Sequence, residues 1–396
     1  MGRRGEFSLI PSNETDRAGP PQPMAPQIID LRNTDDIRDV VHLAVQALAE
    51  GKLVAFPTET VYGLAARALD ERAVGRLITV KGRREGHPLP LAIHGAEAAQ
   101  DYVPNMSSLA QRLARRCWPG PVTLVLDQPR GRSLFHQLPQ MVQRSVAPHQ
   151  TIGIRVPGYP FLMDVMQMTA GPLVMSSANR TGQEDCCTGE EVLESLGDEV
   201  DVVFDAGRSR FAQASSVVRV KDGSYEILRA GVVPEQAMRR LAGLMVLFVC
   251  TGNTCRSPMA EKLLQKLMAE RLGIEIENLD DRGITITSAG VAAILGGRAS
   301  AEAVEVMRKA GLDLSDHETH PVTEQLIRHA DVIYTMTQSH RQAILSHWPS
   351  AAPRTELLCR DGSNVVDPIG GTVEQYQACA DQLDRELRDR LNELQL

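Results

Sequence analysis

Two cysteine–arginine pairs in this chain share the spacing Cys-x5-Arg, and their settings differ. The stretch VLFVCTGNTCRSPMAE (246–261) runs from an apolar β-branched segment through a loop holding Gly252 into a helical pattern. Ser257 stands where it would cap that helix, with Pro258 in the first turn. Backbone N–H groups of such a loop, with the unpaired ones of the helix start, converge on an anion. The same field, with Arg256 beside it, favours the thiolate of Cys250 as a nucleophile. Arg256 can grip two equatorial oxygens of a phosphoryl group in transfer. The second pair, Cys379 and Arg385 in CADQLDR, has no glycine and falls in an amphipathic pattern, so it reads as a surface helix. Asp367-Pro368 in NVVDPIGG is by itself a turn; next to a phosphate loop, Asp367 becomes a general-acid candidate.

The front half carries a different set. KLVAFPTETVYGLAA (52–66) reads as a strand, a polar turn with Thr58, Glu59 and Thr60, then a helix, followed by a basic segment with Lys81, Arg83 and Arg84. Such cations either face a polyphosphate together or form a solvated face. WPGPVTLVL (118–126), TIGIRVPG (151–158), SSANRTG (176–182), ASSVVRV (214–220) and ILRAG (227–231) follow in order.

Taken together, these front segments resemble the threonylcarbamoyl-AMP synthase family over about residues 28–240. The resemblance implies condensation of L-threonine, bicarbonate and ATP to threonylcarbamoyl-AMP and pyrophosphate, for tRNA modification, with Mg2+ on the nucleotide. It implies threonine contacts at Thr60, Arg155, Ser177 and Ser215. It implies ATP contacts at Lys81, Arg83, His87, Thr151, Asn179 and Arg229. Tyr159, the segment 184–188 and Ala214 depart from the family pattern. A noncatalytic RNA-binding module on the same fold is the alternative for this half, and tRNA or tRNA-modification proteins are the partners implied.

Residues 244–396 resemble the low-molecular-weight protein tyrosine phosphatase family, whose loop reads V-C-x-G-N-x-C-R-S-P. The resemblance implies Cys250 as nucleophile, Arg256 as clamp, Asn253 as brace, Ser257 as donor to the thiolate, Asp367 as acid, and phosphoproteins as substrates. It offers Cys255 as an oxidative partner of Cys250; a packed thiol is the other reading. Thr254 resembles the protein-arginine phosphatase branch, which favours phosphoarginine over phosphotyrosine, although Ile369 stands where that branch has an aromatic. Arsenate reductase chemistry needs two further cysteines about seventy residues on, and none lies between Cys255 and Cys359.

These residues need scaffolds. Apolar periodicity predicts a helix over 35–48 and strands at 52–56, 122–126, 152–156, 173–175, 200–204, 216–220 and 226–228. The front unit is therefore α/β with an open, twisted mixed sheet. The rear unit alternates strands at 245–249, 284–288 and 332–334 with helices at 257–272, 299–310, 323–329 and 373–394, which predicts a doubly wound parallel sheet. Residues 1–27 read as a disordered tail, 28–240 and 245–396 as domains, and 241–244 as a linker; Met245 opens the second unit as a chain start would in a gene fusion. The 396 residues suit two or three domains, and no apolar run reaches the length of a spanning helix. Seven thinly spread cysteines and a start without an apolar segment point to the cytoplasm. Residues 1–243 carry 27 Lys and Arg against 28 Asp and Glu, and the rest carry 15 against 22, which disfavours a general nucleic-acid surface at the back.

Overall fold

The structure is a computed structural model that describes residues 25–82 and 86–394. Arg83, and residues 1–24 of the expected tail, lie outside the described residues; Gln27 already opens the first strand. The front sheet contains β1 (Gln27–Asp30), β2 (Val54–Phe56), β3 (Gly63–Arg67), β4 (Leu91–Ala92), β5 (Val122–Asp127), β6 (Thr151–Arg155), β7 (Leu173–Ser177), β8 (Val202–Asp205), β9 (Ser216–Lys221) and β10 (Ser224–Arg229). Their order is β1-β8-β2-β3-β7-β4-β6-β5-β9-β10, with parallel and antiparallel neighbours mixed. Successive side chains point to opposite faces, so Leu53 and Ala55 enter one core layer while Val54 and Phe56 enter the other. In that second layer Phe56 stacks on Phe204 with ring centroids 5.4 Å apart.

The helix expected directly after the 58–60 turn is corrected. Strand β3 intervenes, pairing antiparallel with β2 and β7, and the helix runs over Glu71–Lys81. GLAAR has the local propensity of a helix, but pairing on both edges overrides it. The helix start is fixed by Asp70, whose carboxylate accepts from the N–H groups of Arg72 and Ala73. Lys81 thereby becomes the last residue of a helix, where a cation suits the helix dipole.

The rear sheet contains β11 (Leu244–Cys250), β12 (Ile284–Gly290), β13 (Val332–Thr335) and β14 (Thr355–Leu357), in the order β12-β11-β13-β14 with every pair parallel. Val246, Phe248 and Cys250 face the core under the helices Arg256–Leu272 and Val373–Leu391; Leu247 and Val249 face Ile327 and Ile344 of two further helices. Apolar residues on both faces of one strand are the mark of a sheet covered on both sides. Residues 241–244, expected as a linker, run from the helix Glu235–Ala242 straight into β11. Among the described residues, no helix is long and apolar enough to cross a membrane.

Two candidate active sites

At the rear, β11 delivers Cys250 to the mouth of the loop and leaves it almost wholly buried. Its Sγ lies 3.0 Å from Ser257 Oγ and accepts the Asn253 N–H at 3.2 Å. Asn253 takes a left-handed φ of 57°, which turns the loop back over the sulfur. Its side chain braces that turn, with Nδ2 donating to Ser257 Oγ at 3.0 Å and to Ser288 Oγ at 2.9 Å, while Oδ1 accepts the His320 N–H at 2.9 Å. Ser257 does not cap the helix. Met259 N–H already donates to the Cys255 carbonyl at 3.1 Å, so Cys255 is the cap residue and Ser257 lies within the first turn, its hydroxyl shared between the sulfur and the Ala289 carbonyl.

Arg256 is buried, and its Nη2 pairs with Asp367 Oδ2 at 2.5 Å. Clamp and acid candidate therefore meet across the mouth, although 111 residues separate them. Cys255 and Cys250 are both free thiols, and burial pushes the Cys255 thiol up. Cys379 lies in a helix, Val373–Leu391, as expected, but on its buried face, as a core residue. Two histidines escaped the sequence reading. His317 Nε2 lies 2.8 Å from the Asn253 carbonyl. His340 Nε2 lies 2.9 Å from Thr251 Oγ1, and burial holds its ring down at about 4, so it is neutral at pH 7. Lone histidines 67 and 90 residues from the loop cysteine carry no local signal; only the fold brings them in.

In the front unit the structure gathers the expected residues into three groups. Thr60 is fully buried in the turn between β2 and β3, and Arg155 Nη2 at the end of β6 donates to its Oγ1 at 2.9 Å. Arg155 is also held by Glu59, Nη2 to Oε1 at 2.7 Å, and Glu59 Oε2 accepts the Gly158 N–H at 2.9 Å. Glu59 was legible as part of a polar turn but not as the residue that orients Arg155. Lys81 forms the second group: its Nζ donates to the Ser177 carbonyl at 2.7 Å, to Asn179 Oδ1 at 2.8 Å and to the Asn179 carbonyl. Ser177 Oγ donates to the same Asn179 Oδ1 at 2.6 Å. In the third, Arg229 Nη2 donates to the Ser215 carbonyl at 2.8 Å and to Ser215 Oγ at 3.1 Å, and Thr123 Oγ1 lies 3.2 Å from that hydroxyl. Thr151 and His87 are not drawn into these groups. Thr151 opens β6, four residues and roughly 13 Å along the strand from Arg155. His87 is exposed on the segment after the helix Glu71–Lys81.

The front set is rich in guanidinium, ammonium, hydroxyl and amide groups, which bind anions and carboxylates. Among the described residues, no three His, Cys, Asp or Glu side chains are grouped to hold a metal. The donors at the expected ATP positions therefore fit phosphate oxygens, and they fit a magnesium ion only as one carried by the nucleotide's own phosphates.

Residues 46–231 match the model of the Sua5, YciO and YrdC family, described as "Telomere recombination". Residues 245–396 match that of the low molecular weight phosphotyrosine protein phosphatases. The chain is 32% identical over 203 residues to the threonylcarbamoyl-AMP synthase of Pyrococcus abyssi, covering 51% of this chain and 57% of that protein. It thus spans little more than half the length of that relative. A Mycobacterium tuberculosis relative, whose name assigns the same activity provisionally, is 31% identical over 51% of this chain and 88% of its own length. The protein-arginine-phosphatase of Bacillus subtilis is 37% identical over 153 residues, covering 38% of this chain and 95% of that protein. The chain therefore belongs to two families at once, to the Sua5, YciO and YrdC family through its front unit and to the low molecular weight phosphotyrosine protein phosphatases through its rear unit.

Proposed function

We propose that the chain is a bifunctional enzyme, in which residues 28–240 make threonylcarbamoyl-AMP from L-threonine, bicarbonate and ATP, and residues 245–396 hydrolyse phosphoprotein, phosphoarginine in preference to phosphotyrosine. The rear reading is carried by one observation: Cys250 Sγ receives the Asn253 N–H in a loop whose Arg256 pairs with Asp367. The thiolate attacks phosphorus, the P–N bond of phosphoarginine breaks, and Asp367 in its acid form gives its proton to the departing guanidine. Arg256 holds two equatorial oxygens throughout. Water then attacks the cysteinyl-phosphate, passes its proton to the Asp367 carboxylate, and phosphate leaves with the sulfur restored.

The proposed substrate preference rests on Thr254 and on position 369. Thr254 contributes a hydroxyl beside Gly252, and the wall after Asp367 is the exposed aliphatic Ile369 instead of an aromatic ring. A polar guanidinium suits a hydroxyl better than a phenol ring does, and no ring is present at position 369 to stack on a phenol. Cys250→Ser is expected to abolish turnover of phosphoarginine and phosphotyrosine substrates alike. Thr254→Ile is expected to shift the ratio of the two kcat/KM values towards phosphotyrosine; an unchanged ratio would defeat the arginine preference.

The front reading is supported by Arg155, fixed by Glu59 and Thr60 so that its remaining donors can take the threonine carboxylate; Ser177 and Ser215 are the other proposed threonine contacts. Carbamate oxygen attacks the α-phosphate of ATP and pyrophosphate departs, so the site requires aligned reactants and cations on the phosphates more than a nucleophile of its own. Lys81, Arg83, His87, Thr151, Asn179 and Arg229 are the proposed ATP set. A magnesium ion on the phosphates would neutralise charge as pyrophosphate leaves. The product would feed tRNA modification, with tRNA-modifying proteins as partners. Pyrophosphate release should require both threonine and bicarbonate and should be lost in Asn179→Ala; release indifferent to both would favour a noncatalytic RNA-binding module.

A further inference from the structure

The seam between the two units is built from arginine. The helix Ser108–Cys117 of the front unit presents Arg112, Arg115 and Arg116 to Asp331, just ahead of β13, with N–O distances of 2.9, 2.7 and 2.8 Å. Arg116 also donates to the carbonyls of Leu241, Gly243 and His329, and Arg115 to that of Arg328. One carboxylate cannot balance three guanidiniums, and the excess is taken up by carbonyls at the C-terminal ends of two helices, Glu235–Ala242 and Glu324–His329. The bond in the other direction is the informative one. Arg328 of the rear unit donates from Nε to the Arg115 carbonyl at 2.7 Å and from Nη2 to the Trp118 carbonyl.

Trp118 begins the turn Trp118–Pro121, and that turn is the back wall of the front site. The Gly120 carbonyl accepts from Arg155 Nε at 3.2 Å, and the Gly120 N–H donates to the Val156 carbonyl at 2.8 Å. The Pro121 carbonyl accepts the Ser216 N–H at 3.0 Å, next to Ser215. The turn packs closely on the end of the helix that Arg328 grips: a Cβ added at Gly120 would stand 2.5 Å from the Cys117 carbonyl. We infer that Arg328 of the rear unit is a positioning residue for the front site, clamping the Trp118–Pro121 turn that holds Arg155 and the strand start beside Ser215 in place. The inference rests on the reading of Arg155 and Ser215 as threonine contacts, and it makes the phosphatase unit a structural part of the synthase.

The test uses the whole chain. In Arg328→Met, the threonine KM for pyrophosphate release should rise about tenfold, as misplacement of a binding group does, with ATP KM and phosphoarginine turnover near wild type. Arg328→Lys keeps a donor for the Trp118 carbonyl and should recover most of the loss. Arg354→Met is the control for mere loosening, since Arg354 caps the same rear helix at the Ile327 and Ala330 carbonyls without touching the Trp118 turn; its threonine KM should not move. Hydrogen exchange at the Gly120 amide reads the clamp without turnover and should be about tenfold faster in Arg328→Met. Wild-type exchange at Gly120 in a folded Arg328→Met protein, or an equal rise of threonine KM in Arg354→Met, would overturn the inference. A wild-type chain whose Gly120 amide responds to Arg328→Met but which releases no pyrophosphate would count against the synthase reading and leave the clamp standing.

Discussion

At the scale of single residues, the rear candidate site is built on one short stretch of chain, and the front one on turns and strand ends far apart in sequence. Cys250, Asn253, Arg256 and Ser257 lie within eight residues, so their mutual placement is set by one loop and one helix start. Ser257 lies beside the sulfur but inside the first turn and not at the cap, because a cap is decided by where the first i→i−4 bond forms and the residue types permit either cap. His340 was invisible for the opposite reason: nothing in its neighbourhood marks it, and its meaning comes from burial beside Thr251. That burial has a measurable sign. The folded protein holds the His340 ring at about 4 against an ordinary 6.5, so between those values the unfolded chain binds the proton and the folded chain does not. Stability is intact above the ordinary value and declines as pH falls through this window. His317, also pushed down by burial, adds in the same direction. Melting temperature measured from pH 7 to pH 4 should fall less steeply in His340→Asn than in the wild type; parallel slopes would remove the histidine from the explanation.

At the scale of elements, what was read correctly was what periodicity encodes. The strands ending at Phe56, Asp127, Arg155 and Cys250, and the long helices of the rear unit, stand within a few residues of their expected positions. What was missed is what only pairing decides. β1, β4 and β14 are two to four residues long, too short for a period to declare itself, and β3 has helix-forming residues held in a strand by β2 and β7. That hairpin matters to function, because the loop between β2 and β3 carries Glu59 and Thr60 to Arg155. In the rear unit the tightest fit of element to site is at the end of β12. A Cβ on Gly290 would stand 2.5 Å from the Thr251 carbonyl and 2.8 Å from the Asn253 nitrogen, so the loop can wrap the sulfur only while that position is glycine. Gly290→Ala should cost about 1–3 kcal/mol of stability by overpacking and depress phosphoarginine kcat more than KM, since it displaces the brace and leaves Arg256 in place. Unchanged kinetics with an unchanged denaturation midpoint would show that the contact is easily relaxed.

At the scale of the whole molecule, the sequence marks two family segments and is silent about the seam. Arg115 and Asp331 are 216 residues apart, and no local pattern joins them. The expected linker at 241–244 is instead taken into that seam, its carbonyls accepting from Arg112 and Arg116. Breaking a buried ion cluster by removing its carboxylate leaves guanidiniums uncompensated, so Asp331→Ala should destabilise the chain by about 3–5 kcal/mol and separate one unfolding transition into two by calorimetry. A single unshifted transition would mean that the units do not lean on each other. The account as a whole stands most directly on pyrophosphate release by the intact chain. It predicts release only when ATP, L-threonine and bicarbonate are present together, unaffected by Cys250→Ser and lost in Asn179→Ala. Release without threonine, or none with all three substrates, would contradict it.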